Sequence, residues 1–413
     1  MPKSALLLVF LATFFSIQSF AKEIPVGATC QFKNIQTAIY AANTGDIIKV
    51  TSGIYYENKI IINKTISLIG ENYPVIDVQE KDDGINITAN NVKVNGIVIK
   101  NTARGSINDF AGIRVFRGNN VEVSNNILRN TFFGIVFQDS KNGLIQNNKV
   151  IGENLNQTKS GNGIQLWQCK NIVIKNNYIT KHRDGIYFEF ARFCHIENNL
   201  SEQNFRYGLH FMFSDNDWYY HNIFRNNGTG AAIMYSRHIE ILYNNFENNW
   251  GDASYALLLK DISDGIIIGN QFTKNTVGVL FDGSNRIKVA RNLFESNGWA
   301  VKLMANCMND TFYKNNFIAN TFDVSTNGTL YYSYFKNNYW DKYEGYDLNK
   351  NHIGDVPYRP VSLYSIIVEQ IPQALMLLRS FTVDVMDKAE RIIPSLIPDL
   401  LKDDEPMMQK NKI

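Results

Sequence analysis

The sequence predicts an all-β protein: a parallel β-helix solenoid with a short capping helix at its N-terminal end and an amphipathic helical segment at its C-terminal end. Three observations carry this prediction. Gly208-Leu209-His210-Phe211-Met212 is answered 22 residues later by Gly230-Ala231-Ala232-Ile233-Met234. A fixed period of this size marks stacked units that bury their apolar faces only against one another. Within each unit the second and fourth residues after the chain enters at glycine are apolar, as in Ile113/Val115, Ile164/Leu166 and Val279/Phe281, and alternation of period two is a strand with one buried face. A second strand about nine residues on (Val121–Val123, Ile172–Ile174, Ile287–Val289) runs into paired asparagines at 125–126, 147–148, 176–177, 198–199, 244–245 and 315–316. Asparagine tolerates the left-handed backbone of a sharp corner, and amides stacked at the spacing of neighbouring strands can bond up and down as a ladder. By analogy with known solenoids of this coil length the hand is expected to be right; the period alone does not set it.

Taken in order, the chain opens with a secretory-signal pattern over 1–21: Lys3 supplies the charge, Leu6–Phe15 the apolar run, and Ser19-Phe20-Ala21 a small-x-small cleavage site. The mature chain is therefore expected outside the cytoplasm. The apolar run is too short for a spanning helix. Residues 35–43 have helical spacing and precede short alternating strands, so a helix is placed over the bare end of the stack, which a solenoid must cover.

Strands are expected to begin at Gly84, Gly112, Gly134, Gly163, Gly185, Gly208, Gly230, Ala256, Gly278 and Ala300, with a loop insertion at 153–160. Residues 331–360 break the period and end the β-helix, which thus spans 22–360. Residues 361–400 are rich in leucine, isoleucine and methionine, and Pro372, Pro394 and Pro398 divide them into short helices. Charged residues interrupt any membrane span, so this stretch reads as interfacial, docking on the solenoid, a membrane surface or a membrane partner. Leu375, Met376, Leu378 and Phe381 are its candidate docking residues. The charged tail, 401–413, is expected to fray.

Net charge is +2, which gives no nucleic-acid footprint. Four cysteines in an oxidising compartment invite disulfides. Cys169 and Cys194, however, sit about three residues out of step in adjacent repeats, a separation near ~10 Å at strand rise, too far for a bridge. Buried single thiols are expected.

Function has to be read across coils, on the outward strand positions. The third and fifth positions give Gln165/Trp167, Tyr187/Glu189, His210/Met212, Ala232/Met234, Leu280/Asp282 and Lys302/Met304. This is a more apolar band than a solvated face carries, and it marks a binding surface. His210 and Met212 point to one side of a strand roughly 7 Å apart, with Met234 beside Met212 in the next coil at roughly 4.8 Å. Imidazole with thioethers suits a soft monovalent copper ion. Methionine also serves as adaptable filler in a docking patch, and both readings stay open. Trp167, Tyr187, Glu189 and Met304 complete the candidate docking face.

An enzymatic reading needs carboxylates converging on one face. Glu189 and Asp282 are four coils, roughly 20 Å, apart. Phe137-Gln138-Asp139 resembles a pectin-esterase fragment without that family's second aspartate and arginine. Asp83, Asp184, Asp215 and Asp264 are placed in turns, where aspartate serves the backbone. A non-enzyme is expected; the alternative is a carbohydrate-binding or polysaccharide-modifying secreted β-helix.

Tyr339-Trp340-Asp341, Gly345-Tyr346-Asp347 and His352-Ile353-Gly354-Asp355-Val356-Pro357-Tyr358-Arg359-Pro360 are similar to the closing motif of the NosD family. Arg183–Tyr187, Tyr207–Met212 and Ala232–Ser236 also resemble that family. One departure is Asn351-His352, where the motif usually carries Asp-Gly. The resemblance implies a periplasmic accessory protein for nitrous oxide reductase maturation, without a permanently bound cofactor. It would work with an ABC transporter permease and its ATPase, taking Cu(I) from a copper-chaperone lipoprotein toward the reductase. It also implies a transient copper role for His210, Met212 and Met234, and membrane contact through the C-terminal segment.

Overall fold

The computed structural model describes residues 21–105, 108–153, 159–328, 333–393 and 401–413, so the signal segment and the prolines at 394 and 398 lie outside the described residues. What it shows is a stack of coils with three strands each. The first strands of the coils form a 12-stranded sheet, the second a 14-stranded sheet and the third a 13-stranded sheet, and every pairing between coils is parallel. Inward residues of all three sheets make one continuous core from Ile24 to Leu401. Along the third sheet Phe224, Phe246, Phe272, Phe294, Phe317 and Trp340 stack ring on ring, with centroids 4.0–5.3 Å apart.

Two details differ from the expectation. The first strands begin one residue before the glycine, as in Asp184–Glu189, Tyr207–Met212 and Thr229–Met234. The expected second strand is also followed by a third of three residues, such as Ile127–Arg129 or Ile223–Arg225. So short a strand has one inward residue, too few to show an alternation.

The asparagine pairs divide their work. Asn125, Asn147, Asn176 and Asn198 take the corner with φ of 54–55°. The second of each pair turns inward and gives its backbone N–H and side-chain amide to the next coil's Oδ1, as Asn148 does to Asn177 at 2.9 and 3.0 Å. The ladder continues through Asn199, Asn222, Asn244, Asn270, Asn292 and Asn315 to Asn338. In the pairs at 244 and 315 the frame moves by one, and Tyr243 and Lys314 take the corner instead.

At both ends side chains or the tail finish some of the open edges. Helix α1, Ile35–Ala41, buries Ile35, Ala38 and Ile39 on the first coil. The distant Glu57 carboxylate accepts from the Ile35 and Gln36 N–H groups, which no side chain of Asn34 caps. The Gln36 amide completes the edge of strand Ile60–Ile62, exchanging two hydrogen bonds with the Ile61 backbone. At the far end the tail does not fray. Asp403 is buried and its carboxylate receives Asn338 and Trp340, while Phe335 and Tyr339 form parallel bridges with Asp403 and Met407.

Residues 361–393 form helix α2, Leu363–Gln370, a 3-10 turn, Pro372–Leu377, and helix α3, Phe381–Ile392. Ser362 and Ser380 cap the two α-helices, and Glu390 of α3 accepts from the Leu363 N–H of α2 at 2.6 Å. The unit packs on the last coils through Tyr364, Val368 and Val383 against Trp299 and Phe322. Glu369 pairs with Lys302 at 3.0 Å, both side chains mostly covered. Solenoid docking is thus observed, yet Met376 and Phe381 stay 89 % and 82 % exposed beside exposed Leu375 and Leu378. Among the described residues no helix is long and apolar enough to cross a membrane.

Candidate functional site

Strand register places the fifth-position residues in one row: Trp167, Glu189, Met212, Met234, Lys260 and Asp282. Met212 and Met234 are direct neighbours in that row, both half-buried. Glu189 and Asp282 are four steps apart along it, as expected. Met304 lies one residue beyond the strand Trp299–Leu303, and its backbone N–H still reaches the Phe281 carbonyl at 3.0 Å.

His210 is turned away from the core but only 6 % exposed, which corrects its reading as an open ladder residue. The rings of Tyr187 and Tyr207 flank it, with centroids 5.1 and 4.6 Å away. Its neighbour in the next coil is Ala232, whose methyl leaves room that a larger residue would take. Nδ1 sits 3.3 Å from Asp184 Oδ2. Asp184 opens a strand rather than lying in a turn, and its side chain is fully covered. Arg206 grips it through Nε at 2.8 Å and Nη2 at 2.5 Å. Burial works against the Asp184 charge, but hydrogen bonds from Arg206 and His210 outweigh it and hold the carboxyl below its usual range.

This arrangement was missed in the sequence because the strands were begun at glycine. The residue before it is also outward, so Asp184, Tyr207 and Thr229 form another row. Strict alternation from Ile186 and Phe188 would turn that residue inward, so the pattern did not mark it. In the same coil Tyr187 Oη donates to Glu189 Oε2 at 3.1 Å, and burial raises the Tyr187 phenol, with the Glu189 charge adding to it.

The apolar band continues around the corner. Phe190, Phe213 and Tyr235 directly follow Glu189, Met212 and Met234, stack with centroids 5.3 and 5.1 Å apart, and are each more than 40 % exposed. Their φ values of 51–55° are ones bulky residues seldom adopt. Trp167, Tyr187, Glu189, Met212 and Met234 are therefore brought onto one face; Leu375, Met376, Leu378 and Phe381 belong to the separate helical unit.

The remaining candidates are structural. Cys169, Cys194 and Cys307 are buried single thiols, and burial raises all three, Cys169 and Cys307 to about 12. His182 is buried, and burial depresses it to about 4. Among the described residues no three of His, Cys, Asp or Glu converge as a metal site, so a metal reading has to draw on the thioethers.

Residues 151–349 match the profile of the family described as NosD, periplasmic copper-binding protein. Two curated relatives, each named "Probable ABC transporter binding protein NosD", come from Stutzerimonas stutzeri and Pseudomonas aeruginosa. Both are 26 % identical over 160 residues, 38 % of this chain. The matched stretch spans about a third of the length of these relatives (32 % and 33 %). Among solved structures, the A-module of mannuronan C-5 epimerase AlgE6 from Azotobacter vinelandii superposes with a TM-score of 0.61 at 14 % identity, covering 73 % of this chain and 92 % of that one. PfbA, a surface adhesin of Streptococcus pneumoniae, superposes with a TM-score of 0.54 at 13 % identity, covering 73 % and 89 %. At such identities these two show a shared fold. The resemblance to the NosD family is thereby shown, and it lies on the coils that carry the Asp184–His210 pair and the Met212–Met234 row.

Proposed function

We propose that this chain is a periplasmic accessory protein that hands Cu(I) onward during nitrous oxide reductase maturation, in company with an ABC transporter. The observation that carries the reading is the pairing of Met212 with Met234 beside an imidazole whose Nδ1 is held by a carboxylate. Thioethers select Cu(I) over hard ions. Donation from Nδ1 to the carboxylate, which lies closer than the Arg206 guanidinium at 3.4 Å, would leave Nε2 as the ligand atom, as second-shell partners do in metal sites generally. Copper here is cargo. Two half-buried thioethers and a shielded imidazole would hold it loosely enough to pass on, with no resident cofactor.

The partners follow the two exposed apolar surfaces. The stacked Phe190, Phe213 and Tyr235 beside the methionine row would receive the copper chaperone or the reductase. The helical unit, with Met376 and Phe381 outermost, would meet the transporter permease at the membrane surface. The family description and the relatives' names support copper and transporter, respectively.

An anaerobic Cu(I) titration against a competing chelator tests the site, comparing the wild type with a Met212→Leu/Met234→Leu/His210→Ala variant. Stoichiometric binding lost only in the variant is expected. No binding by a folded wild type would refute the ligand assignment and leave the face as a docking surface.

The alternative is a carbohydrate-binding face. Tyr187 and Glu189, joined by a hydrogen bond on the outward side of one strand, offer it polar groups. Binding of an acidic or neutral glycan that depends on Tyr187 and Glu189, and not on the methionines, would favour it.

A further inference from the structure

The first sheet ends at strand Phe322–Ser325, which pairs with Trp299–Leu303 on one side. Phe322 gives its N–H to Gly298. Alternate residues of a parallel strand turn to opposite neighbours, so Asp323 and Ser325 direct their backbone groups away from the stack. At the opposite end of this sheet the Gln36 amide completes the corresponding edge at Ile61. The tail bridges to Phe335 and Tyr339 finish the second and third sheets. Among the described residues nothing completes the edge at Asp323.

Asp323 follows the glycine row. From Gly84 to Ala300 this row holds only glycine or alanine; a Cβ on Gly278 would stand 2.4 Å from the Ala300 carbonyl. With no coil above it, Asp323 carries a carboxylate in that space. It borders a cavity of about 340 Å³ between the last coil, residues 356–360 and the helical unit. The Asp323 side chain is 1 % exposed. Oδ2 receives Tyr358 Oη at 3.2 Å and the Lys342 ammonium at 3.5 Å, while among the described residues Oδ1 has no partner. A buried acceptor left unmet costs free energy that a bound donor would recover. Among the described residues, Asp323, Asp387 and Glu390 line the cavity with Lys342 and Arg359, and Val356, Leu378 and Val383 form apolar wall.

We infer that this cavity binds an organic cation, a primary amine or guanidinium on a short apolar stem, with its charged head on Asp323 Oδ1. The stem lies against Val356, Leu378 and Val383. The open backbone groups of Asp323 take any amide the ligand carries. The same chemistry comes free, as an alkylamine, or as the end of a lysine or arginine side chain.

Calorimetric titration of the full chain with n-butylammonium, agmatine and the peptide acetyl-Gly-Lys-Gly-amide tests this, with 1-butanol as the uncharged control. Saturable binding of a cation, and none of butanol, is expected. Asp323→Asn should weaken it roughly tenfold or more, the loss of one charge-assisted hydrogen bond, and Val383→Phe should block it by filling the wall. Binding of amines and peptide alike supports a free ligand; binding of the peptide alone supports a partner's side chain. Absence of binding by all three cations, or equal binding of butanol, overturns the assignment without reference to any variant.

Discussion

Asn338 gives both its backbone N–H and its side-chain amide to one oxygen of Asp403, each at 3.0 Å. Every lower member of the ladder both accepts and donates. The last member has no coil above it to donate to, and a carboxylate only accepts. Asp403 also takes the Trp340 indole N–H at 3.2 Å, and the tail brings it there across 65 residues.

Asp403→Ala would leave three buried donors without an acceptor. With about 1–3 kcal/mol at stake for each unmet group, partly relieved by water at this end of the stack, a loss of roughly 2–4 kcal/mol is expected in urea denaturation. Asp403→Asn keeps the acceptor and should lose less. Equal stability of Asp403→Ala and wild type would mean that the tail is held by other contacts.

The stacked rings of the third sheet give a second test. Phe272 is fully buried, 5.1 Å from Phe246 and 4.9 Å from Phe294. Phe272→Ala should cost roughly 3–5 kcal/mol and Phe272→Leu distinctly less, because leucine leaves a smaller cavity. A denaturation series that ranks the two variants the other way would show that the solenoid collapses around the gap.

Much of this was legible in the sequence, and the reasons differ by element. The glycine-led strands and asparagine corners repeat often enough that period and alternation identify the coil. The third strand was hidden because Leu128 or Phe224 is a lone inward residue beside the corner asparagine. His210 read as outward, and in register it is; its shielding depends on Tyr187, Tyr207 and Asp184, contributed by two adjacent coils. The tail looked like a solvated charged end because Asp403 becomes buried only when Asn338 and Trp340 meet it.

Burial lifts the Asp310 carboxyl to about 7. Its Oδ1 accepts the Ile287 N–H at 2.8 Å, and among the described residues Oδ2 has no partner. An unfolded aspartate titrates near ~3.9, so between there and about 7 the folded chain keeps a proton that the unfolded chain has released. Stability therefore falls as pH rises through this window, by up to about 1.4 kcal/mol per unit from this group. Asp310→Asn keeps the bond to Ile287 and removes the titration. Melting curves of the two proteins should agree near pH ~4 and separate above it, with the asparagine variant the more stable. Parallel curves across the range would show that Asp310 does not set the slope.

The Asp184–His210 pair separates a metal role from a structural one. Asp184→Asn retains the shape of the side chain but removes the charge that grips Arg206 and orients the imidazole. Loss of charge-assisted bonds predicts a stability decrease of about 1–3 kcal/mol, with the fold intact by circular dichroism. If His210 binds Cu(I) through Nε2, the same change should weaken copper about 10–100-fold, as removal of a second-shell carboxylate does elsewhere. Met304→Leu, three coils beyond Met234, should change neither quantity. Copper affinity that survives both Asp184→Asn and His210→Ala would assign the imidazole to the fold and leave the ion to Met212 and Met234. Affinity lost in His210→Ala but untouched in Asp184→Asn would keep the ligand and discard the orienting role of the carboxylate.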